Sequence, residues 1–177
     1  MQGMAGHQAA SAKTKPLYTA EQKRLRDGSV WTLVQGVLAP VQFLVFLVSL
    51  GLVLRYLATG EGQAAATISI VIKTLTLYTI MVTGAIWEKV VFGVYLFAEG
   101  FYWEDMVSML VLALHSAYLV ALFNDLLDTR ALMLLALAAY ATYVVNAAQF
   151  ILKLRAARLQ SAAEAMTNAG AAMEAAQ

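Results

Sequence analysis

Four long apolar blocks divide the chain and limit what it can fold into. They run approximately over 31–57, 64–87, 106–123 and 131–152. A helix needs roughly 20 residues to cross about 30 Å of hydrocarbon, and a backbone in lipid must satisfy its own hydrogen bonds. The blocks are long and continuous, unlike the short alternating segments of a transmembrane barrel. The pattern therefore predicts an all-α integral membrane protein, a bundle of four transmembrane helices.

The overall composition agrees with a membrane protein. Of the 177 residues, 61% are hydrophobic and 13% are charged, whereas soluble domains are near half apolar and about a quarter charged. A soluble protein of this size could not solvate its exterior with so few charges. The net charge of +1 gives no global electrostatic preference for a partner. Composition argues against a soluble enzyme, a nucleic-acid binder and a disordered chain, and it makes the lipid bilayer the expected surroundings.

The cysteine and histidine content limits the chemistry. The chain has no cysteine, which removes disulfides, thiolate nucleophiles, thiolate zinc sites and iron–sulfur clusters. Its two histidines are His7 and His115, so one chain cannot build a multi-histidine metal site. We therefore expect no metal of the protein's own. The sequence also contains no phosphate-binding glycine loop, dinucleotide fingerprint or nucleophile elbow.

Basic residues outside the first and last blocks predict the orientation in the membrane. The flanking set is Lys13, Lys15, Lys23, Arg24 and Arg26 before the first block, and Lys153, Arg155 and Arg158 after the fourth. The first and third loops contribute only Arg55 and Arg130. Because lysine and arginine favour the cytoplasmic side, we expect a multi-pass protein of the cell inner membrane with both termini cytoplasmic.

The apolar blocks and the basic residues that flank them divide the chain into three parts. Residues 1–30 form a cytoplasmic N-terminal segment, 31–155 the four-helix transmembrane domain, and 156–177 an alanine-rich cytoplasmic tail. The first eleven residues have the composition of a disordered stretch. The tail is compatible with two structures, a continuation of the fourth helix out of the membrane or a frayed end.

Three carboxylates border the link between the second and third blocks. Glu88 ends the second block beside Trp87, while Glu104 and Asp105 open the third. Carboxylates in the first turn of a helix are favoured by its dipole, which is a sufficient structural reason for Glu104 and Asp105. Three carboxylates at one interface are also suited to acid–base chemistry. We therefore take all three as candidate catalytic residues, with Glu88 as first choice for the acid.

Polar residues at membrane depth are costly and each needs a reason. Lys73 is expected to snorkel or to pair with an acid. Five others are candidate substrate-binding residues: His115, Gln35, Tyr143, Asn146 and Gln149. Hydrogen bonds between helices explain most of them equally well. His115 is either a hydrogen-bonded core histidine or an axial ligand for a metal held in a tetrapyrrole.

Five runs of the sequence together resemble the 3-vinyl (also called 2-vinyl) bacteriochlorophyllide hydratase family. They are PLYTAEQ (16–22), WTLVQGVLAP (31–40), YTIMVTGAIWEKVVFG (78–93), WEDMVSMLVLALH (103–115) and YATYVVNAAQF (140–150). The resemblance extends over about 16–159. It lies in a long string of unusual polar positions within apolar blocks rather than in one short motif.

The resemblance implies a membrane hydratase of bacteriochlorophyll synthesis. Such an enzyme adds water across the 3-vinyl group of a magnesium chlorin, giving a 3-(1-hydroxyethyl) group. This hydration needs an acid and a base but no cofactor. The partners implied are the tetrapyrrole substrate and, as alternatives left open, a second copy of the chain or other pigment-synthesis enzymes. From the residues alone, a non-catalytic pigment-binding or assembly protein, or a small transporter subunit, fits equally well.

Overall fold

A computed structural model describes residues 16–175 of the chain, and the regular structure in this part is entirely helical. The helices are α1 (Ala20–Gly28), α2 (Val30–Thr59), α3 (Gln63–Phe92), α4 (Tyr102–Phe123) and α5 (Thr129–Ala175). The last four are each long and apolar enough to cross a membrane. The prediction of an all-α membrane protein with four transmembrane helices is confirmed. The stretch expected to be disordered, 1–11, lies outside the described residues.

Helices α2 and α3 form an antiparallel hairpin that is closed by glycines. Gly60 and Gly62 both adopt left-handed backbone conformations, with φ of 77° and 84°, which cost glycine little because it has no Cβ. Within the hairpin, the Gln35 side-chain amide donates to the Thr83 hydroxyl at 2.8 Å. A hydrogen bond of this kind fixes how two apolar helices align in lipid.

Helices α4 and α5 form the second hairpin. The Asp128 carboxylate accepts the backbone N–H of Ala131 at 2.7 Å and so caps the start of α5. Further along, the Asn146 side-chain amide donates to the carbonyl of Glu104 at 2.9 Å and accepts from the Ser108 hydroxyl at 3.2 Å. These two bonds hold the middle of α5 against the first turns of α4.

An aromatic core joins the two hairpins. The Phe46 ring of α2 lies 5.4 Å from the ring of Tyr140 and 5.0 Å from that of Tyr143, both on α5. The hydroxyls of Ser49 and Tyr140 are hydrogen-bonded at 2.6 Å. Large apolar side chains also cover the outside of the helices, among them Leu33, Leu44, Val48, Val120, Leu134 and Ile151. Such a surface suits lipid rather than water.

Two helices extend beyond the apolar blocks that predicted them. Helix α3 continues to Phe92 and ends at Gly93, whose φ of 82° is left-handed. The link to α4 therefore occupies only 93–101 and is shorter than expected, and Glu88 lies within the helix. Helix α5 continues to Ala175, so the described tail is helical, as alanine favours. The division at residues 30 and 155 stays a prediction.

A short N-terminal segment, residues 16–28, packs against the end of α3. It contains α1, which begins with a capping box: the Thr19 hydroxyl accepts the Gln22 N–H at 3.2 Å, and the Gln22 side chain accepts the Thr19 N–H at 2.9 Å. Farther along, the Thr32 hydroxyl donates to the carbonyl of Arg26 and accepts from the Trp87 indole. The segment is thereby tied to the residue that precedes Glu88.

Candidate active site

Glu88 and Asp105 meet where α3 ends and α4 begins. The Glu88 carboxyl accepts the backbone N–H of Ala98 at 3.3 Å, and the Asp105 carboxyl accepts that of Phe97 at 2.7 Å. The two carboxyl groups are close neighbours and interact electrostatically. Both residues are buried. We refer to Glu88 and Asp105 as the carboxyl pair.

The carboxyl pair has the elements of an acid–base site. Two ionised carboxylates this close together in a buried site would repel each other strongly, so a single proton shared by the two groups is the favourable arrangement. The pair therefore places a proton donor directly beside a proton acceptor, as general acid–base catalysis requires. Lys89 does not neutralise it, because its ammonium group donates to the carbonyl of Gly93 at 2.7 Å, at the end of α3.

Glu104, the third carboxylate predicted from the sequence, is turned toward α5. Its carboxylate forms an ion pair with Lys153, whose ammonium group also donates to the carbonyl of Gly100. This contact joins α4, α5 and the 93–101 loop. Glu104 thus has a structural partner, whereas the carboxyl pair is held mainly by backbone amides.

An aromatic cluster lies at the same end of the bundle as the carboxyl pair, where the N-terminal segment packs on α3. The Trp87 ring lies 5.7 Å from both Phe92 and Phe101, and the Phe101 ring stacks on Phe150 of α5 at 5.9 Å. Tyr18 stacks on Phe92 at 5.6 Å. This cluster is separate from the core between the hairpins. It provides an apolar environment at one end of the bundle.

A cleft of about 480 Å³ lies beside this cluster. One wall is the N-terminal segment, including Leu17 and Thr19, and the other is the loop, including Phe97 and Ala98. The N–H groups of Phe97 and Ala98 bind the carboxyl pair. The backbone of these two residues therefore separates the cleft from the pair. A molecule in the cleft would lie close to the pair.

His115 and Tyr143 lie deeper in the bundle. His115 is ten positions beyond Asp105, about 15 Å along α4 at about 1.5 Å per residue. Its ring is 1% exposed and lies 5.8 Å from the Tyr140 ring. The Nδ1 atom bonds the carbonyl of Val111 at 2.8 Å, and Nε2 has no hydrogen-bond partner within residues 16–175. The free Nε2 is compatible with ligation of a pigment metal, and the full burial is compatible with a core histidine.

Lys73 differs from both sequence expectations, since it neither snorkels nor pairs with an acid. The side chain is fully buried and its ammonium lies 3.8 Å from the centre of the Tyr143 ring. A cation over an aromatic face is attracted by the ring quadrupole, and Nζ has no hydrogen-bond partner among the described residues. Tyr143 therefore serves as the partner of Lys73.

The remaining predicted binding residues lie between helices. Gln35 bonds Thr83, and Asn146 bonds α4, so their side-chain polar groups already have protein partners. Gln149 has a buried carbonyl oxygen without a hydrogen-bond partner. Of the five candidates, Gln149 and His115 keep a buried polar atom free for a ligand. Within 16–175, no three His, Cys, Asp or Glu side chains come together as a metal site.

Two residues of the site were not identified as such from the sequence. Tyr18 precedes the first apolar block and carries no helical or strand pattern of its own. Lys153 reads as one of several basic residues that flank the fourth block. A signal for Tyr18 is present in the capping box that follows it, since Thr19 and Gln22 fix a helix start beside the ring.

Comparison with known proteins finds a matching family model and relatives of the same name. The family model described as 2-vinyl bacteriochlorophyllide hydratase (BCHF) matches residues 18–156. A protein of that name from Rhodobacter capsulatus is 67% identical over 150 residues, covering 85% of this chain and 87% of the relative. One from Cereibacter sphaeroides is also 67% identical over 150 residues, covering 84% and 92% respectively. No solved structure matches the chain.

Proposed function

The chain belongs to the 2-vinyl bacteriochlorophyllide hydratase family, and from this membership we propose that the carboxyl pair carries out the hydration. The protein is a hydro-lyase of bacteriochlorophyll biosynthesis. Its substrate is a tetrapyrrole bearing a vinyl group. The observation that supports our assignment is the proximity of the buried Glu88 and Asp105 carboxyl groups, which are bound by the backbone N–H groups of two residues that line the cleft.

The reaction needs one proton donor and one proton acceptor. We assign the acid to Glu88, which gives its proton to the terminal carbon of the vinyl group. Positive charge then develops on the inner carbon, where conjugation with the macrocycle spreads it. Water attacks this carbon and loses a proton to the carboxylate, so the acid is regenerated. The net change is one water added, as a methyl hydrogen and a hydroxyl group.

Asp105 is assigned the role of partner for Glu88. With both carboxyl groups ionised, repulsion between them would be large in a buried site, so a single shared proton is the favourable arrangement. Asp105 can thus hold the proton of Glu88 in place before it is transferred. It can also accept the proton that the attacking water releases. Glu104 is assigned a structural role through Lys153. The aromatic cluster and the cleft are assigned to the macrocycle.

The test is the hydration rate of Glu88→Gln in purified, lipid-reconstituted protein. A glutamine side chain can still accept from Ala98 and donate to Asp105, but it cannot cycle a proton. We expect a loss of at least about 100-fold, the usual scale for removing acid–base catalysis. Glu61→Gln is the matched control, because Glu61 is exposed in the α2–α3 turn and lies 3.8 Å from Arg55. Near-normal hydration by Glu88→Gln would contradict the assignment.

We also propose that the site faces the cytoplasm. Four spans place both termini on one side, and the carboxyl pair lies at that same end of the bundle, since α3 ends and α4 begins there. The basic residues that flank α2 and α5 favour the cytoplasmic face of the inner membrane. A self-association, or a contact with other pigment-synthesis enzymes, stays a prediction that cross-linking in native membranes would test.

A further inference from the structure

Tyr18 is the one residue of the N-terminal segment whose ring is enclosed between the segment and α3. It is 3% exposed. One face stacks on Phe92 at 5.6 Å, and the Phe101 ring lies 6.3 Å away. The guanidinium of Arg26 lies 4.7 Å from the ring centre. Stacking and cation–π contacts therefore fix the ring without using its hydroxyl.

The Tyr18 hydroxyl is buried and has no hydrogen-bond partner in the described part of the chain. The Arg26 guanidinium acts electrostatically on the phenol, and the Glu88 carboxyl does so more weakly. Leaving a buried hydroxyl unbonded is unfavourable, so such a group is normally satisfied by water. Burial raises the pKa of the Tyr18 phenol above its ordinary value. The phenol therefore keeps its proton and can donate.

We propose that Tyr18 is a positioning residue of the hydratase site, with its hydroxyl holding the reacting water against the carboxyl pair. The inference rests on the function proposed above. A buried water needs two to four polar partners. The Tyr18 hydroxyl supplies one and the Glu88 carboxyl a second. The residues on either side of Tyr18, Leu17 and Thr19, form a wall of the cleft, so the water would lie between the cleft and the pair.

This role separates two steps of the reaction. Protonation of the vinyl group by Glu88 gives a cation, which either captures water or returns a proton to the carboxylate. In D₂O the exchangeable carboxyl carries deuterium, which it transfers to the terminal carbon of the vinyl group. When the cation then gives a proton back to the carboxylate instead of capturing water, the recovered substrate can retain deuterium at that carbon. A well-placed water favours capture over return. Loss of the water's partner should therefore raise deuterium exchange relative to hydration.

The experiment compares wild type, Tyr18→Phe and Tyr118→Phe with 2-vinyl bacteriochlorophyllide in D₂O. Hydrated product and deuterium in the recovered substrate are both measured by mass spectrometry. For Tyr18→Phe we expect kcat for hydration to fall at least about 10-fold, which is about 1.4 kcal/mol, with KM unchanged. The ratio of exchange to hydration should rise at least about 10-fold. Tyr118 is the matched control, because its buried hydroxyl also has no hydrogen-bond partner among the described residues but lies in the core between the hairpins.

Several outcomes would overturn the inference. A Tyr18→Phe protein with unchanged hydration, or with exchange and hydration lowered equally, would give the hydroxyl no role in water capture. An unfolded Tyr18→Phe protein would mean that the hydroxyl is structural. An equal change in Tyr118→Phe would mean that the effect is not specific to the Tyr18 hydroxyl. Glu88→Gln separates this inference from the proposed function, since loss of both exchange and hydration there supports the acid assignment whatever Tyr18→Phe does.

Discussion

The carboxylate of Asp105 accepts the backbone N–H of Phe97 at 2.7 Å, which fastens the 93–101 loop to the first turn of α4. Phe97 reaches this position with a φ of 61°, a left-handed conformation that costs a non-glycine residue about 1–2 kcal/mol. The N–H of Ala98 makes the equivalent bond to Glu88. The loop is thus built around the carboxyl pair. Amide substitutions are the informative variants, because an amide oxygen can still accept these bonds.

Glu104→Gln should affect stability more than chemistry. Breaking one side of its buried ion pair with Lys153 should cost up to about 3 kcal/mol, while hydration stays within about 10-fold of wild type. Thermal unfolding in detergent and the hydration rate are measured together. Lys153→Met, which removes the other partner of the ion pair, should lower stability and retain hydration to a similar extent. A stable Glu104→Gln protein without activity, beside an active Glu88→Gln protein, would move the acid to α4.

Asn146→Ala tests whether the Asn146 side chain joins α5 to α4 or binds substrate. Its amide bonds the Glu104 carbonyl and the Ser108 hydroxyl, so its removal should cost about 1–3 kcal/mol of stability and leave KM nearly unchanged. Asn124→Ala is the control, because that amide bonds only the exposed end of α4. A raised KM without a change in thermal stability would instead support direct substrate binding.

His115→Ala tests the predicted role in pigment binding. The Nε2 atom is buried without a partner, so a pigment metal or ring substituent that used it would lose a ligand. We expect the affinity for the substrate to fall by more than the stability does, with a changed absorption spectrum of the bound pigment. Unchanged affinity and spectrum would favour the core histidine, as the 5.8 Å contact with Tyr140 already permits.

Reporter fusions test the orientation. Fusions at Gly60 and Asp128, in the α2–α3 and α4–α5 turns, should report the periplasmic side, and one in the 93–101 loop the cytoplasmic side. The expectation rests on the basic residues beside both termini. A cytoplasmic signal at Gly60 or Asp128 would reverse the orientation and place the carboxyl pair on the periplasmic side.

Sequence reasoning predicted the helices and the carboxylates but not how the carboxylates pair. Apolar length gives the spans, since lipid leaves few alternatives. Which of Glu88, Glu104 and Asp105 meet depends on Gly93, whose left-handed φ ends α3 and sets the path of the loop. The sequence predicts that Lys73 snorkels or pairs with an acid, because the Tyr143 ring that it contacts is remote in sequence. Contacts between distant side chains are not encoded in local periodicity.

The most direct test of the central claim is a double-mutant cycle on the carboxyl pair. Hydration is measured for Glu88→Gln, Asp105→Asn and the double variant. If the two groups act as one proton-transfer unit, the double variant should be no slower than about the slower single variant, because residues acting together lose their effect together. Losses that multiply in the double variant, or a single variant with near-normal turnover, would contradict the account.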